Sequence, residues 1–137
     1  MIVVDASAIV EVLLNTTTGA ALRRHLFRTG ESLHVPHLTD VEVLQALRRY
    51  SIAKVLDRAR ASEAFDDYAA MPLNRYPHSI LLPRVWELRH NLTAYDAVYI
   101  ALAEALRATL VTCDQALGSV SGHNATVEIF RRPVSGD

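Results

Sequence analysis

The stretch Thr93-Ala94-Tyr95-Asp96-Ala97-Val98-Tyr99-Ile100-Ala101-Leu102-Ala103-Glu104-Ala105-Leu106-Arg107-Ala108-Thr109-Leu110-Val111-Thr112-Cys113-Asp114 decides the fold class. Thr93 to Arg107 is the clearest helix of the chain, opened by Thr-x-x-Asp. Thr109–Cys113 is a short apolar run and predicts a buried strand. Asp114 follows that strand directly. A helix feeding a buried strand that ends on an acid is one unit of an alternating α/β chain.

The same alternation extends in both directions. Met1–Val4 predicts a buried strand. Ser7–Leu14 predicts a helix with Ile9, Val10, Leu13 and Leu14 on one face. Gly19–Arg28 predicts a second helix, ended by Gly30. Leu33–Val35 is a short strand closed by Pro36, and Thr39 to about Tyr50 is helical, with Val43, Leu44 and Leu47 apolar. Ala59–Met71 is a further helix, broken by Pro72–Pro77. Leu81–His90 is helical with Pro83 in its first turn, where proline is tolerated, and Val127–Phe130 is a last strand. The pattern predicts one α/β domain over residues 1–131 with a short C-terminal tail at 132–137. Its centre is a parallel sheet of about four to five strands with helices on both faces and right-handed crossovers. Ligands in such sheets bind at the carboxyl ends of the strands.

Composition bounds the class. The chain has 137 residues, half of them hydrophobic and 21% charged, as expected of one globular domain. No apolar run approaches the roughly 18 residues of a membrane span, and the N-terminus lacks the basic start of a signal peptide. Cys113 is the only cysteine, which suits a reducing cytoplasm. The net charge of −1 points to no partner. Setting aside Asp5, Glu42, Asp96 and Asp114 leaves eleven acids against fourteen bases, thirteen of them Arg, with Lys54 the single lysine. Arginine suits phosphate because its planar fork makes two parallel hydrogen bonds.

Those four acids are the candidate site. Each has a plain alternative. Asp5 can cap the helix after the first strand, Glu42 completes Thr39-Asp40-Val41-Glu42 as a capping box, Asp96 repeats that spacing after Thr93, and Asp114 can cap Gln115–Leu117. Their joint placement is what distinguishes them. All four fall at the carboxyl end of a strand or in a first helical turn, positions that an alternating parallel fold brings to one sheet edge. Two carboxylates about 4 Å apart repel by roughly 4 kcal/mol at an effective dielectric of 20. Protonation or a bound cation relieves that repulsion, and all-oxygen ligands favour Mg²⁺ or Mn²⁺. The six histidines (25, 34, 37, 78, 90 and 123) form no zinc pattern. Asp57, Glu63, Asp66 and Asp67 read as a solvated helix face. Glu11 lies one helix face away from Asp5, and Glu104 two turns beyond Asp96. Tyr95 and Tyr99 read as core, and Arg48, Arg49, Arg84, Arg89 and His90 as candidates for contact with a nucleic-acid backbone.

Met1-Ile2-Val3-Val4-Asp5-Ala6-Ser7-Ala8, Glu42 before Ala46-Leu47-Arg48-Arg49, Leu92-Thr93-Ala94-Tyr95-Asp96-Ala97-Val98-Tyr99-Ile100-Ala101-Leu102-Ala103, and Leu110-Val111-Thr112-Cys113-Asp114-Gln115-Ala116-Leu117 occur in this order. In that order they resemble the PIN-domain ribonucleases of the VapC toxin type. The resemblance implies a small α/β sandwich around a parallel sheet and an endoribonuclease that uses Mg²⁺ or Mn²⁺. It implies Asp5, Glu42, Asp96 and Asp114 as the acidic quartet, with Ser7 and Thr112 as supporting hydroxyls. It implies a homodimer and a cognate VapB-type antitoxin, for which the apolar helices Ser7–Leu14 and Thr39–Tyr50 offer a groove. Some members carry a further acid just after the position of Asp114, where this chain has Gln115, Ala116 and Leu117. The expected chemistry is hydrolysis by a metal-activated water, with Arg48, Arg49 and Arg89 as RNA contacts. A non-catalytic RNA- or protein-binding module on the same fold is the competing reading. A receiver domain needs a lysine at the site, and a haloacid-dehalogenase phosphatase needs Asp-x-Asp where this chain has Asp5-Ala6-Ser7.

Overall fold

The computed structural model describes residues 1–133, so Val134–Asp137 of the expected tail lie outside the described residues. Five strands form one parallel sheet: β1 (Ile2–Val4), β2 (Leu33–Pro36), β3 (Leu73–Tyr76), β4 (Thr109–Thr112) and β5 (Val127–Ile129), in the order β3-β2-β1-β4-β5. The helices are α1 (Ala6–Leu13), α2 (Thr17–Leu26), α3 (Leu38–Ile52), α4 (Arg58–Ala70), α5 (Leu82–Glu87) and α6 (Ala94–Leu106).

The apolar strands are buried on both faces, which is why they read as continuous runs. Ile2 and Val4 of β1 pack with α1 to α4, while Val3 packs with α5 and α6. Thr16 accepts the Gly19 N–H at the start of α2. A Cβ at Gly19 would stand 2.1 Å from the Glu11 carbonyl oxygen, so only glycine lets α2 press this closely on α1.

The order of strands places the site. From β1 the chain winds outward to β2 and β3, then returns through α5 and α6 to begin β4 on the other side of β1. The carboxyl ends of β1 and β4 are therefore the topological switch point, where open α/β sheets bind ligands.

Two expectations are corrected. Leu73–Tyr76 is a strand, not merely a helix break. It lies at the sheet edge with Asn74 and Arg75 exposed, so it needs no apolar run, and its flanking prolines fall outside the ladder. The helix expected over Leu81–His90 runs only from Leu82 to Glu87, preceded by a 3₁₀ turn. It closes at Leu88, whose N–H donates to the Arg84 carbonyl at 3.1 Å, and Asn91 and Leu92 then turn back onto the Leu88 carbonyl.

Candidate active site

Asp5 leaves the end of β1 and is 7% exposed. Its backbone precedes α1, yet its side chain makes no cap. The carboxylate instead accepts from Ser7 Oγ and from Thr112 Oγ1, both at 2.7 Å. Ser7 Oγ accepts from the Cys113 N–H at 3.0 Å, and Thr112 Oγ1 accepts from the Asp114 N–H at 2.9 Å. Each hydroxyl has one proton and gives it to Asp5. The 3.3 Å approach of the two hydroxyls is therefore a packing contact. This lattice ties the turn after β4 to the turn after β1.

Glu42, in the second turn of α3, is held differently. Its Oε1 accepts from Tyr99 Oη at 2.7 Å, and Thr39 Oγ1 lies 2.8 Å from the same phenol. Tyr99 donates to Glu42, so the buried Thr39 donates to Tyr99. The capping box that was the plain alternative for Glu42 is thus not formed; both side chains are spent on Tyr99. Asp96 stands in the first turn of α6, whose N-cap Thr93 accepts the Asp96 N–H at 3.2 Å. Asp114 does cap, accepting the Ala116 N–H at 3.0 Å.

All four acids line one cleft of about 570 Å³, together with Ser7 and Glu11. They come from two strand ends and from helices on both faces of the sheet. Burial pushes the Asp5 carboxyl up despite its hydrogen bonds from Thr112 and Ser7, and the Asp114 charge adds to the rise. Glu42 is raised by burial and by the charges of Asp5 and Asp96. Asp96 is raised by burial and by Asp5 and Asp114. These are carboxylates that repel one another. Among the described residues, no three His, Cys, Asp or Glu side chains already stand around one point. The acids ring the cleft, and a hard cation entering it would find only oxygen donors.

Three contributors were not legible as site residues. Tyr99 is core, as expected, but its hydroxyl positions Glu42. Glu11, expected to face away, lines the cleft at 8% exposure; its place six residues after Asp5 gave no local signal. Arg132 reaches the cleft from beyond β5, which only the tertiary fold brings near. Of the expected backbone contacts, Arg49 lines the cleft, while Arg48 and His90 do not. Arg89 lies over the Trp86 ring and donates to the Trp86 carbonyl. Arg84 is paired with Glu104 and Glu87 at the opposite end of the sheet. Tyr95 is corrected from core to surface. It is 62% exposed, in the first turn of α6 beside the likewise exposed Ala94.

Fold and cleft define an α/β domain whose polar centre is a carboxylate cluster at the sheet's switch point. The chain belongs to the PIN-domain family, whose model matches residues 2–122. It is 39% identical over 129 residues to ribonuclease VapC12 of Mycobacterium tuberculosis, covering 94% of this chain and 98% of that protein. It is 43% identical over 132 residues to ribonuclease VapC9 of the same organism, covering 96% and 100%. The fold also matches VapBC2 from Rickettsia felis, solved bound to a DNA fragment from its promoter. That match has a TM-score of 0.70 at 14% identity, over 95% of this chain and 99% of that one. Membership of this family sets aside the receiver and dehalogenase-type alternatives. No helix among the described residues is long and apolar enough to cross a membrane.

Proposed function

We propose that this chain is a metal-dependent endoribonuclease that acts as the toxin of a toxin–antitoxin pair. The observation that carries the reading is the convergence of Asp5, Glu42, Asp96 and Asp114 on one cleft at the switch point, in a chain whose relatives are ribonucleases of the VapC type. The raised carboxyls of Asp5, Glu42 and Asp96 fit a site completed by a cation. Asp5, Asp96 and Asp114, with Glu42, are the residues that would hold Mg²⁺ (or Mn²⁺). When bound there, such an ion would supply Lewis acidity, to water and to the phosphodiester oxygens. Ser7 and Thr112 fix the Asp5 carboxylate, and Tyr99 fixes Glu42, so both acids are oriented before RNA arrives. Arg49 meets the RNA backbone.

A VapB-type antitoxin holds the protein silent. The cleft continues between α1 and α3 past Val10, Ala46, Tyr50 and Val55, which offers an apolar seat beside the acids. Solved VapBC and toxin–antitoxin complexes are among the structures of the same fold. The working protein is a cytoplasmic homodimer.

The test is cleavage of a mixed cellular RNA pool by wild type and Asp96→Asn, each with Mg²⁺, with Mn²⁺ and with chelator. Discrete cuts that need metal and vanish in the variant are expected. A folded protein that binds metal through these acids yet cuts nothing would support the binding-module reading instead.

A further inference from the structure

Phe130 and Arg131, which directly follow β5, are tied to the body of the domain. The Phe130 N–H donates to the Thr112 carbonyl at 2.9 Å, Thr18 Oγ1 donates to the Arg131 carbonyl at 3.2 Å, and the Phe130 ring lies against His25. These ties fix the backbone on either side of Arg131 and so deliver the next residue, Arg132, to the rim of the acidic cleft.

Its guanidinium is held there lightly. Among the described residues its ion-pair partner is Glu11, with Nε 3.7 Å from Oε1, beyond hydrogen-bond length. The Arg132 side chain is 52% exposed, so its donor fork stays open to the cleft and to solvent. Glu11 is the fixed member of the pair: its side chain is 11% exposed and its Oε2 accepts from Thr16 Oγ1 at 3.2 Å. The cleft thus presents five carboxylates and two arginines, Arg49 from α3 and Arg132 beside α1. An anionic strand cannot approach the four switch-point acids without cations beside them, and a forked guanidinium matches a phosphate.

We infer that Arg132, set at the rim of the cleft beside Glu11, is a substrate-binding residue that contacts an RNA backbone phosphate next to the one cleaved. The inference rests on the ribonuclease reading above and assigns that site a second phosphate contact, supplied by the C-terminal segment.

Two measurements test it, both on the full chain. The first is steady-state cleavage of an RNA oligonucleotide bearing a mapped cut site, by wild type, Arg132→Gln and Arg132→Lys. Arg132→Gln is expected to raise KM about tenfold, the size of one lost charge-assisted contact, with kcat within about twofold. Arg132→Lys, which keeps the charge but not the fork, recovers part of the loss. The second is RNA binding in chelator by Asp96→Asn, with and without Arg132→Gln, across a salt series. Loss of one phosphate contact on a single strand lowers the log–log salt slope by about 0.7. Unchanged KM and salt slope in Arg132→Gln, while wild type cuts, overturn the assignment and leave the ribonuclease reading standing. A fall in kcat together with a lower melting temperature makes Arg132 a structural tie and also overturns it. Wild-type protein that cuts no RNA overturns the ribonuclease reading and takes this assignment with it.

Discussion

At the amino end of the sheet, Arg84 lies between two acids and is matched on every side. It meets Glu104 through Nε at 2.8 Å and through a second nitrogen at 3.0 Å, and meets Glu87 at 3.0 Å and the Gly122 carbonyl at 3.1 Å. Glu104 also accepts the Asn124 N–H at 2.8 Å. At the carboxyl end, Asp5, Glu42, Asp96 and Asp114 face a cleft of similar size, with hydroxyls on two of them and, among the described residues, no guanidinium forked onto any. The carboxyl at the amino end is held below its ordinary value, chiefly by Arg84, while three at the carboxyl end are raised, chiefly by burial. One end uses charge to close the fold. The other keeps unbalanced charge, which destabilises the free protein and is what a cation-dependent site requires.

The sharpest way to break this comparison is to neutralise one acid at each end. Asp96→Asn is expected to lower metal-dependent cleavage at least about a hundredfold, equivalent to about 2.7 kcal/mol of barrier. Its melting temperature in chelator should stay level or rise, since a repelling charge is gone. Glu104→Gln should do the reverse. Cleavage stays within about twofold, while stability falls by about 1–2 kcal/mol as Arg84 loses its forked partner. Calorimetry in chelator and an oligonucleotide assay read both. A melting loss in Asp96→Asn, or a cleavage loss in Glu104→Gln, would erase the contrast.

Thr112→Val sharpens it at the one residue that joins both roles. Thr112 is fully buried, donates to Asp5 and accepts from the Asp114 N–H. The substitution keeps the shape and removes both bonds. Cleavage is expected to fall about 10- to 100-fold, as when a metal ligand loses its orienting partner, and stability by about 1–3 kcal/mol from the unpaired N–H. A loss of stability with cleavage intact would show that the hydroxyl only builds the turn.

The two ends also differ in how far the sequence announces them. The quartet was legible because acids at strand ends and helix starts converge in any parallel α/β fold, so spacing along the chain maps onto position in space. Much of the sheet was legible for a related reason: Ile2–Val4 and Leu110–Val111 are buried and apolar, as strands covered on both faces must be. Leu73–Tyr76 was not, because an edge strand that carries the exposed polar pair Asn74 and Arg75 has no such demand. Glu104 and Arg84 are twenty residues apart and meet only through the packing of α5 on α6. The Tyr99 hydroxyl was hidden inside a side chain whose ring is plainly core, and Arg132 lies far from the acids along the chain. Local pattern finds groups that the topology gathers; it does not find those gathered by side-chain packing.

The smallest expected effect is on acid stability, and its sign differs at the two ends. Glu104 is held below its ordinary value of 4.5, so its pairing stabilises the fold above that pH and is lost as pH falls through the lower folded value. The stability deficit of Glu104→Gln should therefore be full above about pH 4.5 and shrink below it. Asp96 is raised from 3.8, so in the free protein its charged form is the unfavourable one. Its contribution is present below the unfolded value and lost as pH rises through the folded one. Any advantage of Asp96→Asn in chelator should then appear above that range and vanish in acid, opposite to the Glu104 variant. Saturating Mg²⁺ at neutral pH should reverse the ranking of wild type and Asp96→Asn, because only a competent site gains stability from the bound ion. Melting curves of the three proteins from pH 3.5 to 7, with and without Mg²⁺, resolve the two slopes. Parallel slopes for both variants would mean that the two ends are electrostatically alike, and that the carboxyl-end cluster stores no charge for a cation to relieve.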